Sequence, residues 1–463
     1  MSRLFACLLS AAWLLGGCAA PEPVALDRHA PGAWTQALPQ GAVTVGLQTW
    51  WQGWNDPALN ALVDEALAQN LDLGQAVHRL QQQRLISGAA AGLYRPEFKS
   101  SIRTLQDVAA TDSYFHASIE MAWDLGLFGA VEAQRQRSAA EQQDAQAALQ
   151  AVRVALVADV VHRYLDIQAA RRLRQLLLQL DALDQRAVQL AQVRVQQHLG
   201  TSEELAQLRT QAVQAQAEQG LLRQAQAQAA HGLAVLLGRD HPEPQWLAVE
   251  GAAQLPQVAA LSFTQMPADL LRTRPDIQAA EARVARAAGE AGLARSALYP
   301  RFVLQGSLLY AYNLTRNYRT TADMIPVFGP LVDIPLLDWG QRKAQADASQ
   351  QALQATVLGY RQAVLQAVSE VESALAAVSA QRSRHAALQQ VQVLLQARAA
   401  ADGIRRGLGL SSEYGSLSAQ REALLAGSAQ TTARAAHALA YVALYKALGG
   451  APVAALHAPE HRP

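Results

Sequence analysis

The sequence predicts a mainly α-helical chain of long coiled-coil helices, built by internal duplication, with a smaller β part. The β part is expected to cross a membrane within a barrel shared between subunits. Three observations support this fold class. Proline is absent between Phe98 and His241 and between Leu336 and Ala451, and both stretches keep helical periodicity. The two stretches share motifs in the same order. A period of two replaces the helical period after Pro96 and after Pro300.

The second proline-free stretch carries the clearest coiled-coil seam. Its apolar residues lie on one narrow face, as in helices that pack along a stripe. A helix from Gln341 to about Arg406 would be on the order of 100 Å long at about 1.5 Å per residue. Glycines at Gly403, Gly407 and Gly409 then indicate a turn, so the segment is predicted to be an antiparallel helical hairpin. The seam residues are Leu353, Val357, Tyr360, Val364, Val368, Val371, Leu375 and Val378.

An earlier part of the chain repeats this design. It has a seam of its own, with a motif of glycine, serine and glutamate at the turn and short matches at both ends of the hairpin. The chain is therefore a duplication, with an offset of about 209 residues at the turns. The seam residues are Leu173, Leu176, Leu180, Leu183, Ala187 and Leu190. The matched pairs are Gly200 to Glu204 with Gly409 to Glu413, Phe128-Gly129 with Trp339-Gly340, and Leu237-Gly238 with Leu448-Gly449.

Composition excludes several classes of function. The formal net charge is +1 and charged residues make up 17% of the chain, which gives no basic surface for nucleic acid. The 11 histidines are scattered, and the sequence has no catalytic triad spacing, phosphate loop or histidine and cysteine cluster. We therefore expect neither an enzyme nor a cofactor-binding protein.

The N-terminus has the pattern of a secretory signal. Arg3 precedes an apolar run from Leu4 to Leu15, which is too short to span a membrane as a helix. The L-G-G-C sequence that ends at Cys18 resembles a bacterial lipobox, which implies acylation of Cys18 and cleavage before it. The alternative is an ordinary cleavage site that happens to precede a cysteine. Ala19, by resemblance to sorted lipoproteins, favours the outer membrane.

Two segments alternate between apolar and polar side chains, as strands with one wet face do. In the first, Ala117, Ile119 and Met121 alternate with Ser118 and Glu120. The β-hairpins are predicted at about 97–126 and 301–337, each long enough for tilted strands that cross a bilayer. No stretch after residue 18 approaches 18 consecutive apolar residues, so a membrane crossing would use strands closed into a barrel. Four strands per chain are too few, because barrels start at about eight strands. Two hairpins on a soluble sheet remain the alternative.

Four motifs follow one another along the chain. In the first, Trp50-Trp51 precedes Asp56-Pro57, which predicts a helix start with proline in its first turn. In the segment from Pro267 to Phe302, Arg274-Pro275-Asp276 separates two helices, and Pro275 is predicted to lie in the first turn of the second. The other two are W-D-L-G-L-F-G at Trp123 to Gly129 and G-P-L-V-D-I-P-L-L-D-W-G at Gly329 to Gly340. Together they resemble motifs of the outer membrane factor family, the TolC-like exit ducts of bacterial efflux pumps, and especially its OprM/NodT-like members. The segment from Pro267 to Phe302 is the most specific of the four.

The resemblance implies a homotrimer with a twelve-stranded β-barrel in the outer membrane and a coiled-coil tunnel in the periplasm. Its partners would be a periplasmic adaptor protein, an inner-membrane pump of the resistance-nodulation-division type, and outer membrane lipid. The cargo would be drugs or other small toxic compounds. An outer membrane duct of a type I protein secretion system is the alternative.

The predicted organisation follows the duplication. Trp50, Trp51 and Trp54 fit either core packing or a membrane interface, and we favour packing. The predicted segments are a signal peptide (1–17), a lipid-anchored strap (18–48), a first repeat (49–240) with equatorial helices and a helical hairpin at about 128–240, a linker or equatorial segment (241–266), a second repeat (267–449) with a helical hairpin at about 340–449, and a C-terminal tail (450–463). The equatorial helices are those that the resemblance places in a belt around the tunnel.

The two hairpin turns are the candidate functional sites, because in the family the tunnel is shut where these turns converge. By resemblance, Arg405 matches a family arginine, Arg406 stands where a tyrosine is usual, and Ser418 occupies the position of a constricting aspartate. Charges that merely solvate a turn are the alternative. The candidate gate residues are Arg405, Arg406, Glu413, Ser418 and Glu204. The candidate adaptor-docking residues are Gly200, Ser202, Gly409 and Ser411.

Overall fold

A computed structural model describes residues 26, 33–37, 46–90, 92–106, 112–251, 255–256, 273–320 and 325–452. Cys18, the signal peptide, most of the strap, residues 257–272 and the tail beyond 452 lie outside the described residues. The chain forms two compact units. One comprises 1–29, 78–147 and 276–363, and the other comprises 30–77, 148–275 and 364–463. Each unit therefore takes segments from both predicted repeats.

Helices make up most of the described chain, as predicted from the periodicity. A 3₁₀ helix, Leu47–Trp54, comes first. The α-helices are α1 (Pro57–Gln69), α2 (Leu71–Ala90), α3 (Ala130–Gln196), α4 (Ser202–Leu236), the single turn α5 (Pro244–Leu247), α6 (Pro275–Ser296), α7 (Gln341–Gly407) and α8 (Glu413–Ala447).

The duplication is visible in the lengths of the helices. Helices α3 and α7 each have 67 residues, and α4 and α8 each have 35. Their first residues place the copies 211 positions apart (341 minus 130, and 413 minus 202). The backbone agrees before the long helices, where Phe128 and Gly129 have φ of 58° and 84° and Trp339 and Gly340 have 53° and 80°. One register therefore relates the two copies from the start of the long helices to the end of the hairpins.

The predicted coiled-coil seams are largely buried. On α7, Val357 and Val368 are half-buried and the other six seam residues are buried. On α3, the buried seam residues are Leu176, Leu180 and Ala187. A continuous apolar stripe explains why helices of this length form, because tertiary packing of one face stabilises a helix more than propensity does.

The predicted starts of two shorter helices are confirmed. Asp56 caps α1, and its Oδ1 accepts from the backbone N of Ala58 at 3.0 Å and of Leu59 at 3.2 Å. Pro275 is the first residue of α6, where its missing N–H costs no hydrogen bond.

The tryptophans before α1 pack in the core, as favoured over a membrane interface. Trp50, Trp51 and Trp54 are 0%, 1% and 3% exposed. Trp50 stacks on Tyr445 with ring centroids 4.5 Å apart, and its Nε1 donates to the carbonyl of Gly450 at 3.2 Å. These contacts fix the start of the first repeat to the end of α8.

The strands form one antiparallel sheet from both copies. The strands are β1 (Glu97–Gln106), β2 (Ser113–Asp124), β3 (Arg301–Asn313), β4 (Tyr318–Arg319) and β5 (Ile325–Asp333). β1 pairs with β2, β2 with β3, and β3 with both β4 and β5. The prediction of four strands per chain thus misses β4, whose two residues are too few to show a period.

The sheet has one polar and one apolar face. On the polar face, the hydroxyls of Ser101 and Ser118 lie 2.8 Å apart, and Ser118 donates to Glu120 at 3.0 Å. On the other face, Phe98 is 69% exposed and Ile102 is 71% exposed. Large apolar side chains that lie open on a sheet in this way mark a surface for contact with another protein or with a membrane.

By length and composition, one described helix, α7, could cross a membrane. Its most apolar window has a mean hydropathy of 1.2 and is 28% buried. A long helix that packs along a narrow stripe passes the same test, so this finding does not assign a membrane-spanning role to α7.

Candidate hairpin-turn gate

The first hairpin turn joins α3 to α4. After α3 ends, His198 adopts a left-handed φ of 58°, and the backbone N of Leu199 donates to the carbonyl of Arg194 at 2.8 Å. Thr201 then caps α4, with its hydroxyl accepting from the N of Glu204 at 3.1 Å. A left-handed residue followed by an N-cap is the geometry that reverses the chain here.

The second turn, between α7 and α8, has the same backbone. Gly409 has a φ of 72°, and the N of Leu410 donates to the carbonyl of Arg405 at 2.8 Å. Ser412 caps α8 by accepting from the N of Gly415 at 3.1 Å. The second turn therefore repeats the first, with glycine at the left-handed position.

The structure corrects the alignment of the two turns. The left-handed residues His198 and Gly409 lie 211 positions apart, as do the caps Thr201 and Ser412. The predicted offset of about 209 residues, which matched Gly200 with Gly409, is therefore wrong by two residues. Small polar residues recur near both turns, so a short motif can match out of register.

A polar cluster joins the first turn to the start of α8. Glu204 Oε1 accepts from the Tyr414 hydroxyl at 2.5 Å and from Arg194 Nη1 at 3.4 Å. The Arg194 guanidinium also lies over the Tyr414 ring, 4.6 Å from its centroid. Partial burial and the nearby Glu204 carboxylate raise the pKa of the Tyr414 hydroxyl to about 12. The hydroxyl therefore stays protonated, and stays a donor, at physiological pH.

A second link joins α3 to α8 through two exposed side chains. Arg186 donates from Nε and Nη2 to the two carboxylate oxygens of Glu413 at 2.8 and 3.0 Å. The hydrogen bonds from Arg186, together with the charge of Arg406, lower the pKa of Glu413 below its usual range. This is the paired, bidentate geometry that makes an exposed ion pair specific.

A third link between the same helices is buried. Arg421 Nε donates to Asp184 Oδ1 at 2.8 Å, and the Asp184 side chain is 2% exposed. Its other oxygen, Oδ2, is buried without a hydrogen bond among the described residues. A carboxylate in this position depends on its single cationic partner.

The structure brings together only some of the predicted gate residues. Glu204 and Glu413 belong to the links just described. Arg405 is exposed, with Nη1 3.9 Å from Asp402 Oδ1, and Ser418 is also exposed. Arg406 is exposed and acts on Glu413 through its charge.

The predicted docking residues lie at the turns, but they differ in their surroundings. A Cβ on Gly200 would come within 3.3 Å of Arg194 Cβ, whereas a Cβ on Gly409 would meet open space. Ser202 is the first residue of α4, and the Ser411 hydroxyl donates to the carbonyl of Asp402 at 3.4 Å.

Sequence reasoning missed the partners that complete the links. They are Asp184, Arg186, Arg194, Tyr414 and Arg421. The sequence holds no signal that singles out Asp184, because charged residues flank the seam at several places, such as Arg174 and Asp181. Among the described residues, no group of three histidine, cysteine, aspartate or glutamate side chains could hold a metal ion.

Comparisons with known proteins agree with the fold. The sequence profile of the family "Outer membrane efflux protein" matches residues 62–239 and 266–450, which follow the two repeats. The pyoverdine export outer membrane protein OpmQ of Pseudomonas aeruginosa is 29% identical, over 96% of this chain and 96% of that protein. The solvent efflux pump outer membrane protein SrpC of Pseudomonas putida is 28% identical, over 94% and 96%.

A solved structure supports the same assignment. The outer-membrane channel OprN is 26% identical, and it superposes with a TM-score of 0.78 over 94% of this chain and 100% of that one. The predicted fold class, family and outer membrane efflux function are thereby confirmed. Because the family profile covers most of both repeats, the chain belongs to the outer membrane efflux protein family.

Proposed function

We propose that the protein is the exit duct of a tripartite efflux system, a homotrimer that carries small molecules across the outer membrane. The observation that carries this proposal is the open sheet. Within the described residues, β1 pairs only with β2 and β5 pairs only with β3, so each has one edge without a partner among those residues. Unpaired edges cannot persist in a bilayer, where every backbone group needs a hydrogen bond.

Three copies would pair the open edges of the sheet and would also account for its exposed apolar face. Four long strands per chain give twelve in a trimer, enough to close a barrel, since barrels start at about eight strands. The exposed apolar face with Phe98, Ile102 and Phe328 would then face lipid, and the face with Ser118 and Glu120 would line the lumen. We also propose that the chain is divided as predicted from the sequence, into a strap (18–48), two repeats (49–240 and 267–449) and a C-terminal tail (450–463).

The cargo and partners follow from the relatives. Their names refer to pyoverdine export and solvent efflux, and both describe small molecules. We therefore propose a periplasmic adaptor and an inner-membrane pump of the resistance-nodulation-division type as partners, and conduction without catalysis or a cofactor. The turns with Gly200, Ser202, Gly409 and Ser411 would dock the adaptor.

The polar links at the turns would hold the periplasmic end closed. The Tyr414–Glu204 and Arg186–Glu413 contacts both tie α8 to the first hairpin. Opening that moves the second hairpin away from the first would have to break them. Arg405 and Arg406, which are exposed, would set the charge of the constriction, and the exposed Ser418 of α8 would add no charge to it.

The gate is tested by removing the links between the hairpins. Arg186→Gln and Tyr414→Phe should each raise single-channel conductance in planar bilayers severalfold. Arg398→Gln is the matched control, because the Arg398–Glu422 pair (2.9 Å) joins α7 to α8 within one hairpin. Equal conductance in all three variants and the parent would refute the gate and leave the duct intact.

The duct is tested in a strain that lacks its own efflux channel. The protein should lower the accumulation of a small hydrophobic dye, and it should be a trimer in detergent. A stable monomer with native strand content would contradict the shared barrel. Export of a protein substrate without any effect on the dye would favour type I secretion.

We also propose that Cys18 carries an acyl anchor, on the basis of the L-G-G-C sequence alone. Cys18→Ser should abolish incorporation of a labelled fatty acid, with the strands still holding the protein in the membrane. Labelling that persists in this variant would rule out Cys18 as the acylated residue.

A further inference from the structure

Two histidines from opposite helices of the second hairpin face each other away from the turn. His385 of α7 stacks on His437 of α8, with ring centroids 5.7 Å apart and planes 13° apart. Tyr441 packs edge-on against His437, with centroids 5.3 Å apart. Gln430 Nε2 lies 3.3 Å from His385 Nε2. Imidazole rings in close parallel contact fit this site best when both are neutral.

The charges around the pair also favour the neutral rings. Burial, followed by the charges of His385 and Arg382, lowers the pKa of His437 to about 4. Burial and Arg434 lower the pKa of His385. Arg434 itself donates to the carbonyl of Leu255 at 2.5 Å. In the part of the chain that the structure describes, no carboxylate acts on either ring.

The hydrogen bonds add to this preference. His437 Nε2 is buried without a partner among the described residues, so a proton there would bury an unsatisfied donor. The Gln430 amide can donate to His385 Nε2 only while that nitrogen carries no proton. Protonation of either ring would therefore disturb contacts as well as add charge.

The first hairpin shows what the same place looks like without histidine. At the register of 211 residues, His385 corresponds to Arg174 and His437 to Gln226. Arg174 Nη1 donates to Gln226 Oε1 at 2.5 Å, a pair that keeps its protonation state between pH 5 and 8. The flanking Arg382 and Arg434 match Arg171 and Arg223 in the first copy. Only the central pair differs in its response to acid.

We propose that the His385–His437 pair is an acid-sensitive joint, at which protonation separates α7 from α8 while the matching place in the first hairpin stays closed. The effect depends only on contacts within one chain, so it goes beyond the proposed export function and does not depend on the cargo. It would let an acidic periplasm loosen the second hairpin selectively.

The direction of the pH dependence follows from proton linkage. Above about pH 7.5 neither the closed nor the open joint binds an appreciable number of protons at these rings, so stability hardly changes there. As the pH falls below 6.5, the open joint gains protons first, and stability is lost until about pH 4, where closed His437 also protonates. For His437 alone, opening should increase at most about 20-fold between pH 7 and pH 5, less any screening by solvent.

The test is amide hydrogen exchange of the full-length trimer at pH 7 and pH 5, corrected for intrinsic exchange. Protection should fall in peptides around 380–390 and 432–442, and it should be unchanged around 170–178 and 222–230. The double variant His385→Arg with His437→Gln copies the first hairpin, and it should abolish the acid response while keeping protection at pH 7.

Further variants separate the pair from general acid effects. His231→Phe, at an exposed histidine of α4, should leave the acid response of the second hairpin unchanged. If the double variant loses protection at pH 7, His437→Gln alone must still reduce the acid response. An acid response that persists in all the variants, or one of equal size in both hairpins, would overturn the proposal.

Discussion

The two hairpin turns have the same backbone but different side-chain chemistry. Arg194 and Arg405 occupy matching positions 211 residues apart, and each carbonyl accepts from the same place in its turn. Arg194 pairs with Glu204 and is 37% exposed, whereas Arg405 is 62% exposed and lies 3.9 Å from Asp402. The difference arises because the residue that matches Glu204 is Gly415.

Duplication has thus preserved the fold of the turn while the copies have taken separate roles. The first turn carries a partner for its arginine and also holds Tyr414 of the second hairpin. In the second turn, Arg405 and Arg406 are exposed to solvent. Glu413 and Tyr414, which follow that turn, are hydrogen-bonded to side chains of the first hairpin. The first copy is the more securely bonded part of the proposed gate, and the second is the part expected to move.

The largest effect should come from the buried link between the copies. Asp184 and Arg421 match Leu395 and Thr210 in the other copy, so the ion pair has no counterpart there. Asp184→Leu leaves Arg421 without its carboxylate, and it should lower the free energy of unfolding by about 2 kcal/mol. Denaturant titration of the solubilised protein measures this loss.

The matched control is the double variant Asp184→Leu with Arg421→Thr. Each change introduces the residue found at the matching position of the other copy, Leu395 for Asp184 and Thr210 for Arg421. It should recover most of the lost stability, because no buried charge remains unpaired. Equal losses in the single and double variants would mean that the ion pair does not couple the two helices.

An intermediate effect is expected at the left-handed position of the second turn. Gly409→Ala meets no steric contact, but it places a Cβ on a residue with a φ of 72°, at a cost of about 1 kcal/mol. Protection of the turn from hydrogen exchange should fall accordingly. His198→Gly, the opposite change in the first turn, should cost less because it relieves the same strain.

Gly403→Ala is the control for this comparison, because Gly403 lies inside α7 with open space around it. It should stabilise the helix by about 0.8 kcal/mol. Destabilisation by Gly403→Ala as large as that by Gly409→Ala would show that backbone strain is not the cause.

Sequence patterns predicted the elements that depend on local spacing. The seam from Leu353 to Val378 predicted the buried face of α7, and the lack of proline up to the glycines at the turn predicted its extent. Asp56-Pro57 predicted the start of α1. The patterns failed where partners are distant, because Arg186 and Glu413 are 227 positions apart and one sequence does not show which charges meet. The predicted alignment of the two turns was wrong for another reason. The residue that matches Gly409 is His198, which has the same left-handed conformation, and matching glycine with glycine misses this pair.

The smallest effect should come from giving Arg405 the carboxylate that it lacks. Gly415→Glu copies Glu204 in the second turn, and its Cβ would meet the Ser412 hydroxyl at an ordinary 3.5 Å. The new side chain can also complete a capping box at the start of α8. An exposed ion pair and a better helix residue in the first turn of α8 together should stabilise the turn by about 0.5 kcal/mol. Because the change offsets one positive charge in each chain of the proposed trimer, cation permeability in bilayers should rise modestly. Glu204→Gly is the reverse exchange, and it should release Arg194 and Tyr414 together. If Gly415→Glu leaves ion selectivity unchanged while Arg405→Gln alters it, the new carboxylate does not reach Arg405. The Arg194–Glu204 pair of the first turn would then depend on Tyr414 as well as on the sequence position of the carboxylate.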